Sequence, residues 1–423
     1  DGIIGAGAGQ IPGNATILSA ELTFVAADPS GAAATLSVHR MLRTWVETDT
    51  WNTLGSGIGI DDSEASIATD STLGSGLDLI DTPVTITALG PAVQAWVDGS
   101  ANNGWLLVID NTNGWDARSS EDSTVTWRPK LDVTYAVGPL TLEVNSTSDS
   151  GDSNPGDAVC DTGFNNSQGD PQCTLRAALE EANAFAGADN ITFNMPTTET
   201  GHSGGVWTIT PNPTLDPIST TMTIDASTQP GWASTPVVEI SGVDAPIGTA
   251  GLTITGDNSE IRGLAINRFD DDGILVQNGA SGTVIAGNHL GTDPSGMVDR
   301  GNKDRGIDHT TGSGPTTVGG TNAADRNLIS GNDNDGIVVW ESDGNTIINN
   351  FVGTDVTGNA PLPNTADGVV LGGTSSNNTV GQPGYGNVLS GNGHDGLELD
   401  TDLTGNVIQG NTMGLGADGT TIV

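Results

Sequence analysis

The chain has 423 residues, and its 52 acidic side chains exceed its 12 basic ones so far that the formal net charge at pH 7 is −40. So few cations exclude the positive patch that binding to nucleic acid or anionic lipid requires, and no apolar run reaches the ~18 residues of a membrane span. Aromatic residues make up 4% of the chain and glycine contributes 61 residues, which excludes coiled coils and ordinary helical globules and favours short strands separated by turns.

Residues 1–137 contain alternating apolar and polar segments that are interrupted by clusters of Gly, Pro, Asn and Asp. A period of two in segments of this length predicts an antiparallel β-sandwich. Residues 91–100 have the spacing of a short helix instead, with Val93, Trp96 and Val97 on its inner side. The first domain is therefore predicted to be a sandwich with one helix.

The tryptophans of this domain fall into two groups. Trp45, Trp51 and Trp96 lie in amphipathic contexts, which predicts core positions. Trp105 and Trp115 lie near several asparagines and are the candidates for a ligand-binding face. Filling the core is the alternative for these two as well, because Trp is an ordinary core residue in sandwiches.

Four blocks of this domain occur in a recognisable order: IPGNATILSAELTF, VHRMLRTWVETDTWNT, VTITALGPAVQAWVDGSANNGWLLV and WRPKLDVTY. Together they resemble the DNRLRE-type jelly-roll domain of secreted bacterial and archaeal proteins, some of which are classed as carbohydrate-binding modules. The resemblance implies a jelly roll that binds carbohydrate. Because the family's opening strands would precede Asp1, we expect the chain to be a piece of a longer protein with one open sheet edge.

Residues 138–188 are predicted to contain an entry strand, an acidic glycine-rich loop and one helix. The helical pattern spans residues 173–187, with Thr174 as its N-cap and Gly187 at its end. The only two cysteines, Cys160 and Cys173, bracket the loop. They could be free thiols, half of a metal site or a disulfide. We favour the disulfide, which indicates an oxidising, extracytoplasmic location.

The same loop contains four aspartates whose oxygen atoms are candidate ligands for Ca²⁺, which prefers hard ligands in a flexible loop. Asx turns explain such a loop without a metal. The four candidates are Asp149, Asp152, Asp157 and Asp161.

Residues 189–423 contain a repeat in which an Asp/Gly pair precedes aliphatic residues. Its glycines, 28–33 residues apart, are Gly273, Gly306, Gly336, Gly368 and Gly396. A second register repeats every 61–62 residues and aligns Ile285, Ile347 and Ile408. Repeats of this length built from short strands predict a parallel β-helix, in which stacked coils bury one continuous aliphatic column.

Two other residue types are predicted to serve this solenoid. Asn288, Asn350 and Asn411 are aligned and predict a ladder of side-chain hydrogen bonds between coils. Glycine is expected at corners where φ is positive.

The segment CTLRAALEEANA and the acidic loop before it resemble extracellular right-handed β-helix proteins with a CSLREA-type N-terminal motif. The resemblance runs from about Leu140 to Val423. It implies that the helix caps the first coil and that Arg176 is a structural anchor. Because the last repeat stops without a cap, we expect an internal cut at this end too.

The richest polar constellation of the β-helix lies within residues 268–309. If it is catalytic, paired carboxylates could serve inverting hydrolysis, or Ca²⁺ with an arginine could serve elimination from uronic acids. The favoured alternative is that Asp-Gly pairs merely form the corners of the solenoid, with no catalytic residue. The candidates are Asp270, Asp272, Asp304, Arg305 and His309.

Strand alternation also predicts a row of outward-facing apolar side chains, formed by Leu275, Val338, Trp340 and Val370. Such a stripe is typical of a contact surface for a partner. Loops that lie over the sheet are the alternative.

The sequence therefore predicts an all-β protein with three parts: a truncated antiparallel jelly roll (1–137), an entry strand with loop and cap helix (138–188), and a right-handed parallel β-helix (189–423). The predicted function is that of a secreted or cell-surface structural and adhesive protein, whose partners are carbohydrate or neighbouring copies of itself. The alternative is an extracellular polysaccharide lyase or glycoside hydrolase acting on acidic glycans. Ca²⁺ is the only cofactor for which the residues offer candidates.

Overall fold

A computed structural model describes residues 3–4, 10–13, 15–28, 34–46, 48–49, 53–54, 57–74, 80–110, 115–185 and 187–423. The chain divides into two compact units, Asp1–Gly138 and Pro139–Val423. Strands dominate both units, which confirms the all-β prediction. Among the described residues, no helix is both long and apolar enough to cross a membrane.

The first unit contains two antiparallel sheets. One has the order β4-β1-β7, with β6 paired to the end of β1, and the other has the order β3-β2-β5. The helix α1 buries Val93, Trp96 and Val97 as predicted. The elements are β1 (Ala15–Asp28), β2 (Leu36–Met41), β3 (Ala65–Leu73), β4 (Pro83–Ile86), α1 (Gly90–Val97), β5 (Trp105–Ile109), β6 (Asp116–Ala117) and β7 (Lys130–Val137).

The tryptophans of the first unit are not arranged as predicted, apart from the buried Trp96. Trp45 is 49% exposed, because it lies in the segment after β2, where its Nε1 donates to the Asn103 carbonyl oxygen. Its predicted core position is therefore wrong, and Trp51 lies outside the described residues. The Trp105 ring packs against the Trp96 ring, with 4.5 Å between centroids.

The predicted ligand face at Trp105 and Trp115 is not formed. Both rings are half-buried against the core of the first unit. The Trp105 Nε1 donates to Asp70, and the Trp115 ring stands edge-on to Phe24. The contacts of the two rings therefore match the core-filling alternative, because both pack against the buried cluster of the first unit.

The second unit consists almost entirely of short strands. They are β8 (Thr141–Val144), β9 (Asp189–Phe193), β10 (His202–Ser203), β11 (Val206–Ile209), β12 (Met222–Asp225), β13 (Val238–Ser241), β14 (Leu252–Ile254), β15 (Glu260–Arg262), β16 (Leu264–Asn267), β17 (Ile274–Val276), β18 (Thr283–Ala286), β19 (His289–Leu290), β20 (Ile307–His309), β21 (Thr316–Gly319), β22 (Leu328–Ile329), β23 (Ile337–Trp340), β24 (Thr346–Ile348), β25 (Phe351–Val352), β26 (Val369–Gly372), β27 (Thr379–Val380), β28 (Val388–Leu389), β29 (Leu397–Leu399), β30 (Val407–Ile408) and β31 (Thr412–Met413).

These strands form three long sheets, in which successive coils pair in parallel except for the hairpin β10-β11. The first sheet has the order β8-β9-β12-β15-β18-β21-β24-β27-β30, and the second has the order β10-β11-β13-β16-β19-β22-β25-β28-β31. The third sheet has the order β14-β17-β20-β23-β26-β29. From β14 onward, each coil contributes one strand to each of the three sheets, which is the parallel β-helix that the repeat predicts.

The inward side chains form continuous columns, as predicted. In the first sheet, Ile285, Ile347 and Ile408 belong to one column of register-matched residues. Ile285 and Ile347 are fully buried, whereas Ile408 is 38% exposed because it lies in the last coil and only one neighbouring coil covers it. Burial of such a column is the main favourable contribution to the stability of a solenoid.

Asparagine ladders connect the coils at their corners. The predicted ladder exists, but Asn327 and Asn387 also belong to it, so that it has a member on each of the last five coils rather than on every second one. Each Nδ2 donates to the Oδ1 of the next asparagine, over 2.9–3.3 Å, along the series Asn288, Asn327, Asn350, Asn387 and Asn411. A second ladder comprises Asn302, Asn332, Asn364 and Asn392.

The repeated glycines precede the strands of the third sheet, whereas the predicted corners with positive φ are formed by other glycines, such as Gly291 and Gly353. None of Gly273, Gly306, Gly336, Gly368 and Gly396 has a positive φ. A Cβ atom on Gly306 would lie 2.7 Å from the Gly336 carbonyl oxygen, and one on Gly336 would lie 2.5 Å from that of Gly368. Glycine is required here because the neighbouring coil approaches the backbone too closely for a side chain.

The cap of the second unit has the predicted design. Thr174 accepts a hydrogen bond from the Ala177 amide at the start of α2 (Leu175–Ala184), which ends before Gly187 rather than at it. Cys160 and Cys173 form a disulfide, as favoured above. Arg176 is an anchor: it donates to Asp149 and to the carbonyl oxygens of residues 213 and 214.

Candidate functional site on the third sheet

The acidic loop of the cap does not gather its carboxylates around one point. Asp152 accepts hydrogen bonds from the amides of residues 154 and 161, and Asp157 accepts one from the amide of residue 159. Asp161 accepts one from the amide of residue 163, and Asp149 binds Arg176. The Asx-turn alternative accounts for these hydrogen bonds, and the four aspartates do not come together as one close group of metal ligands in this structure.

The outward face of the third sheet brings together some of the polar residues that the sequence placed between 268 and 309, namely Asp272, Asp304 and Arg305, with Asp308 beside them. Parallel register sets Leu275 beside Asp308, Asp308 beside Val338, and Val338 beside Val370. The predicted row of apolar side chains is therefore interrupted by Asp308. Val338 is only 5% exposed, whereas Trp340 is 45% exposed.

Arg305 lies at the centre of this face. It occupies the position before the repeated glycine, where the neighbouring coils have Asp272 and Asp335. Its Nη1 lies 3.2 Å from an Asp308 oxygen and 3.3 Å from an Asp304 oxygen. Oxygen atoms of Asp272 and Asp335 lie 4.0 Å from the guanidinium. One cation is thus shared by four carboxylates.

Burial and mutual repulsion alter the proton affinities of this cluster. Burial raises the pKa of Asp272 to about 8, and the neighbouring Asp308 and Asp271 add to the increase. Burial also raises the pKa of Asp308 and of Asp335. Although burial alone would lower the pKa of Arg305, the surrounding carboxylates raise it overall, so the guanidinium stays charged.

Part of the acidity of this face serves the solenoid itself. The Asp272 Oδ1 accepts a hydrogen bond from the Arg305 amide on the next coil, over 3.1 Å. Asp335 accepts one from the Asp367 amide, and Asp367 one from the Asp395 amide. The carboxylates before Gly273, Gly336 and Gly368 therefore link consecutive coils, which is the corner role that the sequence favoured.

Two of the predicted catalytic candidates lie outside the cluster. His309 points into the interior column between Val276 and Val339, because it is two residues after the inward Ile307. Burial lowers the pKa of His309 to about 4. Asp270 accepts a hydrogen bond from the Gly248 amide on the preceding coil. His309 does not reach the outward face, which contradicts its place among the catalytic candidates, whereas Asp270 is exposed and lies outside the cluster around Arg305.

Oxygen atoms of Asp271, Asp272 and Asp304 lie within 4.8 Å of one another, the only such group among the described residues. Oxygen ligands at this separation fit a Ca²⁺ ion, whose bonds to oxygen are roughly 2.3–2.6 Å long. These carboxylates are closer than the roughly 6.5–9.5 Å that inverting hydrolysis requires. The geometry therefore does not support the predicted inverting pair at these residues.

A groove of about 270 Å³ lies beside Arg305 and is lined by Arg305, Asp308, Thr310, Thr311, Val338 and Trp340. Trp340 lies over Gly372 of the next coil, where a Cβ atom would overlap the indole ring. The glycine thus leaves room for the indole against the sheet, while the rest of the ring stays exposed. We call these six lining residues the Trp340 groove.

Gly372 belongs to this region, although the sequence motifs did not single it out, and so does Asp335, the acidic member of the Asp/Gly pair at Gly336. Both were detectable in principle, because the repeated Gly306 and Gly336 set the register of the third sheet. Counting from those glycines places Asp335 beside Arg305 and residue 372 beside Trp340.

No protein-family model matches the sequence. No curated protein matches it either. Among solved structures, pectate lyase Pel9A is similar over 60% of this chain and 55% of its own, with 13% identity and a TM-score of 0.34. A mutant of the periplasmic alginate epimerase AlgG is similar over 54% of this chain and 50% of its own, with 15% identity and a TM-score of 0.29. The chain thus spans about half of each structure, and similarity this low carries no conclusion about function.

Proposed function

We propose that this chain is an extracellular or cell-surface glycan-binding protein whose β-helix binds sugar in the Trp340 groove. The observation that carries the proposal is the exposed indole of Trp340, which lies over Gly372 beside polar side chains. An aromatic face offers contact to the C–H groups of a pyranose ring, while the polar groups around it bind hydroxyls and fix orientation.

The remainder of the second unit supports a structural role rather than a catalytic one. Its coils are joined by asparagine ladders, and a helix anchored by a buried arginine covers the first coil. Asp272 is almost fully buried and bonds to the backbone of the next coil, so it does not face a substrate. The disulfide is consistent with an oxidising compartment.

Glycan binding is tested with the full chain and a panel of oligosaccharides, by calorimetry. We expect Trp340→Ala to weaken binding at least tenfold, since it removes the aromatic contact. Tyr385→Ala is the matched control, because Tyr385 is another exposed aromatic residue of the same unit and does not line the groove. Equal losses from the two substitutions, or no binding by the unaltered protein, would contradict the proposal.

A polysaccharide lyase is the second candidate, favoured by the close spacing of Asp271, Asp272 and Asp304 next to Arg305. These three residues would hold Ca²⁺, which would neutralise the carboxylate of a uronic acid. The assay is release of unsaturated ends from polygalacturonate or alginate, with and without added Ca²⁺. Activity that Asp304→Ala abolishes would replace the structural interpretation with the enzymatic one.

A further inference from the structure

We infer that the Trp340 groove selects neutral glycans and rejects chains of uronic acids, an inference that rests on the proposed glycan-binding function. Its basis is the balance of charge around Arg305. A site for an anionic sugar needs a cation that is free to pair with the ligand, and the described residues of this face provide none.

Arg305 is the only cation that lines the groove, and carboxylates already surround it. Asp308 accepts a hydrogen bond from its Nη1, Asp304 lies 3.3 Å away, and oxygen atoms of Asp272 and Asp335 lie 4.0 Å away. Four carboxylates against one guanidinium leave an excess of three negative charges, or of two if Asp272 is protonated. A uronate would therefore enter a negative field.

Neighbouring residues do not reverse this balance. Lys303, on the same coil as Arg305, pairs with Asp333 over 2.6 Å. Glu341 follows Trp340 and accepts a hydrogen bond from the Thr311 hydroxyl. On the next coils the same sheet carries Asp367 and Glu398, and the chain as a whole has a net charge of −40. Association with a polyanion is opposed at long range as well as in the groove.

The same groups suit a ligand that brings hydroxyl donors. Asp308 contributes carboxylate oxygens to the lining of the groove, and sugar hydroxyls can donate to them. Thr310 and Thr311 add hydroxyls, and Trp340 adds an uncharged aromatic surface. A neutral pyranose supplies both the hydroxyl donors and the apolar C–H face that this combination can bind.

The test compares neutral and acidic oligosaccharides on the full chain in the presence of EDTA. The neutral probes are hexasaccharides of glucose, xylose and mannose, and the acidic probes are hexamers of galacturonate and mannuronate. We expect at least one neutral probe to bind at least tenfold more tightly than either acidic probe. Its affinity should not change with ionic strength, because no charged group of the ligand takes part.

A charge-changing variant links the selectivity to this site. Asp308→Asn should reduce the ratio of the affinities for neutral and acidic probes at least threefold, because it removes one negative charge from the groove. Asp395→Asn is the matched control, since Asp395 lies just before β29 of the same third sheet but does not line the groove. It should leave the ratio unchanged.

Three results would overturn the inference, and they differ in what they mean for the proposed function. If acidic probes bind as tightly as neutral ones in EDTA, the inference fails while glycan binding stands. If acidic probes bind only when Ca²⁺ is added, the inference also fails and the group Asp271, Asp272 and Asp304 becomes the ligand site. If no probe binds, the proposed function and the inference fail together.

Discussion

Two acidic regions of the second unit appear alike in sequence but differ in structure. In the cap loop, aspartates 152, 157 and 161 accept hydrogen bonds from nearby backbone amides, and Asp149 has its own arginine, Arg176. On the third sheet, several carboxylates share Arg305. The comparison teaches that a group of acidic residues indicates a site only when its carboxylates outnumber the backbone amides and cations with which the fold pairs them.

The difference follows from where each region lies in the fold. In the cap loop, Asp152, Asp157 and Asp161 each accept a hydrogen bond from the amide two residues later and form an Asx turn. On the third sheet, consecutive coils lie side by side, and residues about 30 positions apart in sequence become neighbours. Local turns satisfy acidic groups, whereas stacking of coils concentrates them.

The largest difference in stability between the two regions is expected when the arginine of each region is replaced. Arg176→Met should lower the free energy of unfolding by about 3–5 kcal/mol, because its side chain is 7% exposed and Asp149 would lose its only cation. Arg305→Met should cost about 1 kcal/mol, since its side chain is 28% exposed and water screens the pairs. Denaturant unfolding of both variants measures this, and equal losses would show that the regions do not differ as described.

The pH dependence of stability should change in both regions. Glu181 of the cap accepts hydrogen bonds from the amides of residues 156 and 158, and burial raises its pKa to about 7. Because its folded pKa exceeds the unfolded value of 4.5, its contribution is complete below pH 4.5 and is lost as the pH rises towards about 7. Asp272 should behave likewise between 3.8 and about 8.

Glu181→Gln and Asp272→Asn should each remove the corresponding pH-dependent loss of unfolding free energy, which is on the order of 1–2 kcal/mol. The measurement is the unfolding free energy as a function of pH. Asp395→Asn serves as the control for both, because that aspartate is exposed. An unchanged slope in either variant would show that the group titrates with its ordinary pKa in the folded protein.

A smaller effect is expected from Gly372→Ala. The new methyl group would displace the Trp340 indole, because the ring occupies the space that the methyl group needs. Glycan affinity should fall about tenfold, or about 1.4 kcal/mol, with little loss of stability. Gly74→Ala is the control, because a Cβ there meets nothing within 4 Å. Retained affinity in Gly372→Ala would separate glycan binding from the position of the indole.

The smallest effect is expected from His309→Leu. Its Nε2 has no hydrogen-bond partner in the described part of the chain, and aliphatic residues lie above and below it in the column. Leucine should leave stability at neutral pH within about 1 kcal/mol of the original value and should not alter glycan binding. A strong loss of binding or activity would restore His309 as a functional residue.

Much of the β-helix was predictable because each coil repeats the same constraints. The spacing of Gly306, Gly336 and Gly368 predicted the coils, and the alignment of Ile285 with Ile347 predicted the buried column. Asn327 and Asn387 were missed because the short coils lack the motif that surrounds Asn288 and Asn350. His309 was included among the catalytic candidates because of its residue type. Its position in β20, two residues after the inward-facing Ile307, directs its side chain into the interior.

The first unit was less predictable, since it has no internal repeat. Exposure of Trp45 and burial of Trp105 depend on which residues the other sheet and α1 bring against each ring. Strand alternation predicts which side chains share a face of the sheet, but it does not identify the residues that pack against a given indole ring. The family resemblances of both units stay predictions, because many unrelated sequences can adopt the same strand pairing.

The amino-acid sequence by itself determined the all-β class and the stacked coils, because these depend on local pattern, repeat length and composition, and it favoured the disulfide between its two cysteines. Only the tertiary structure decided which acidic groups meet Arg305, that Asp308 interrupts the apolar row, and that Trp340 lies exposed over Gly372. The physical reason is that these contacts join residues on different coils. Their electrostatic energies depend on distances of a few ångströms, which the register of the stacked strands sets.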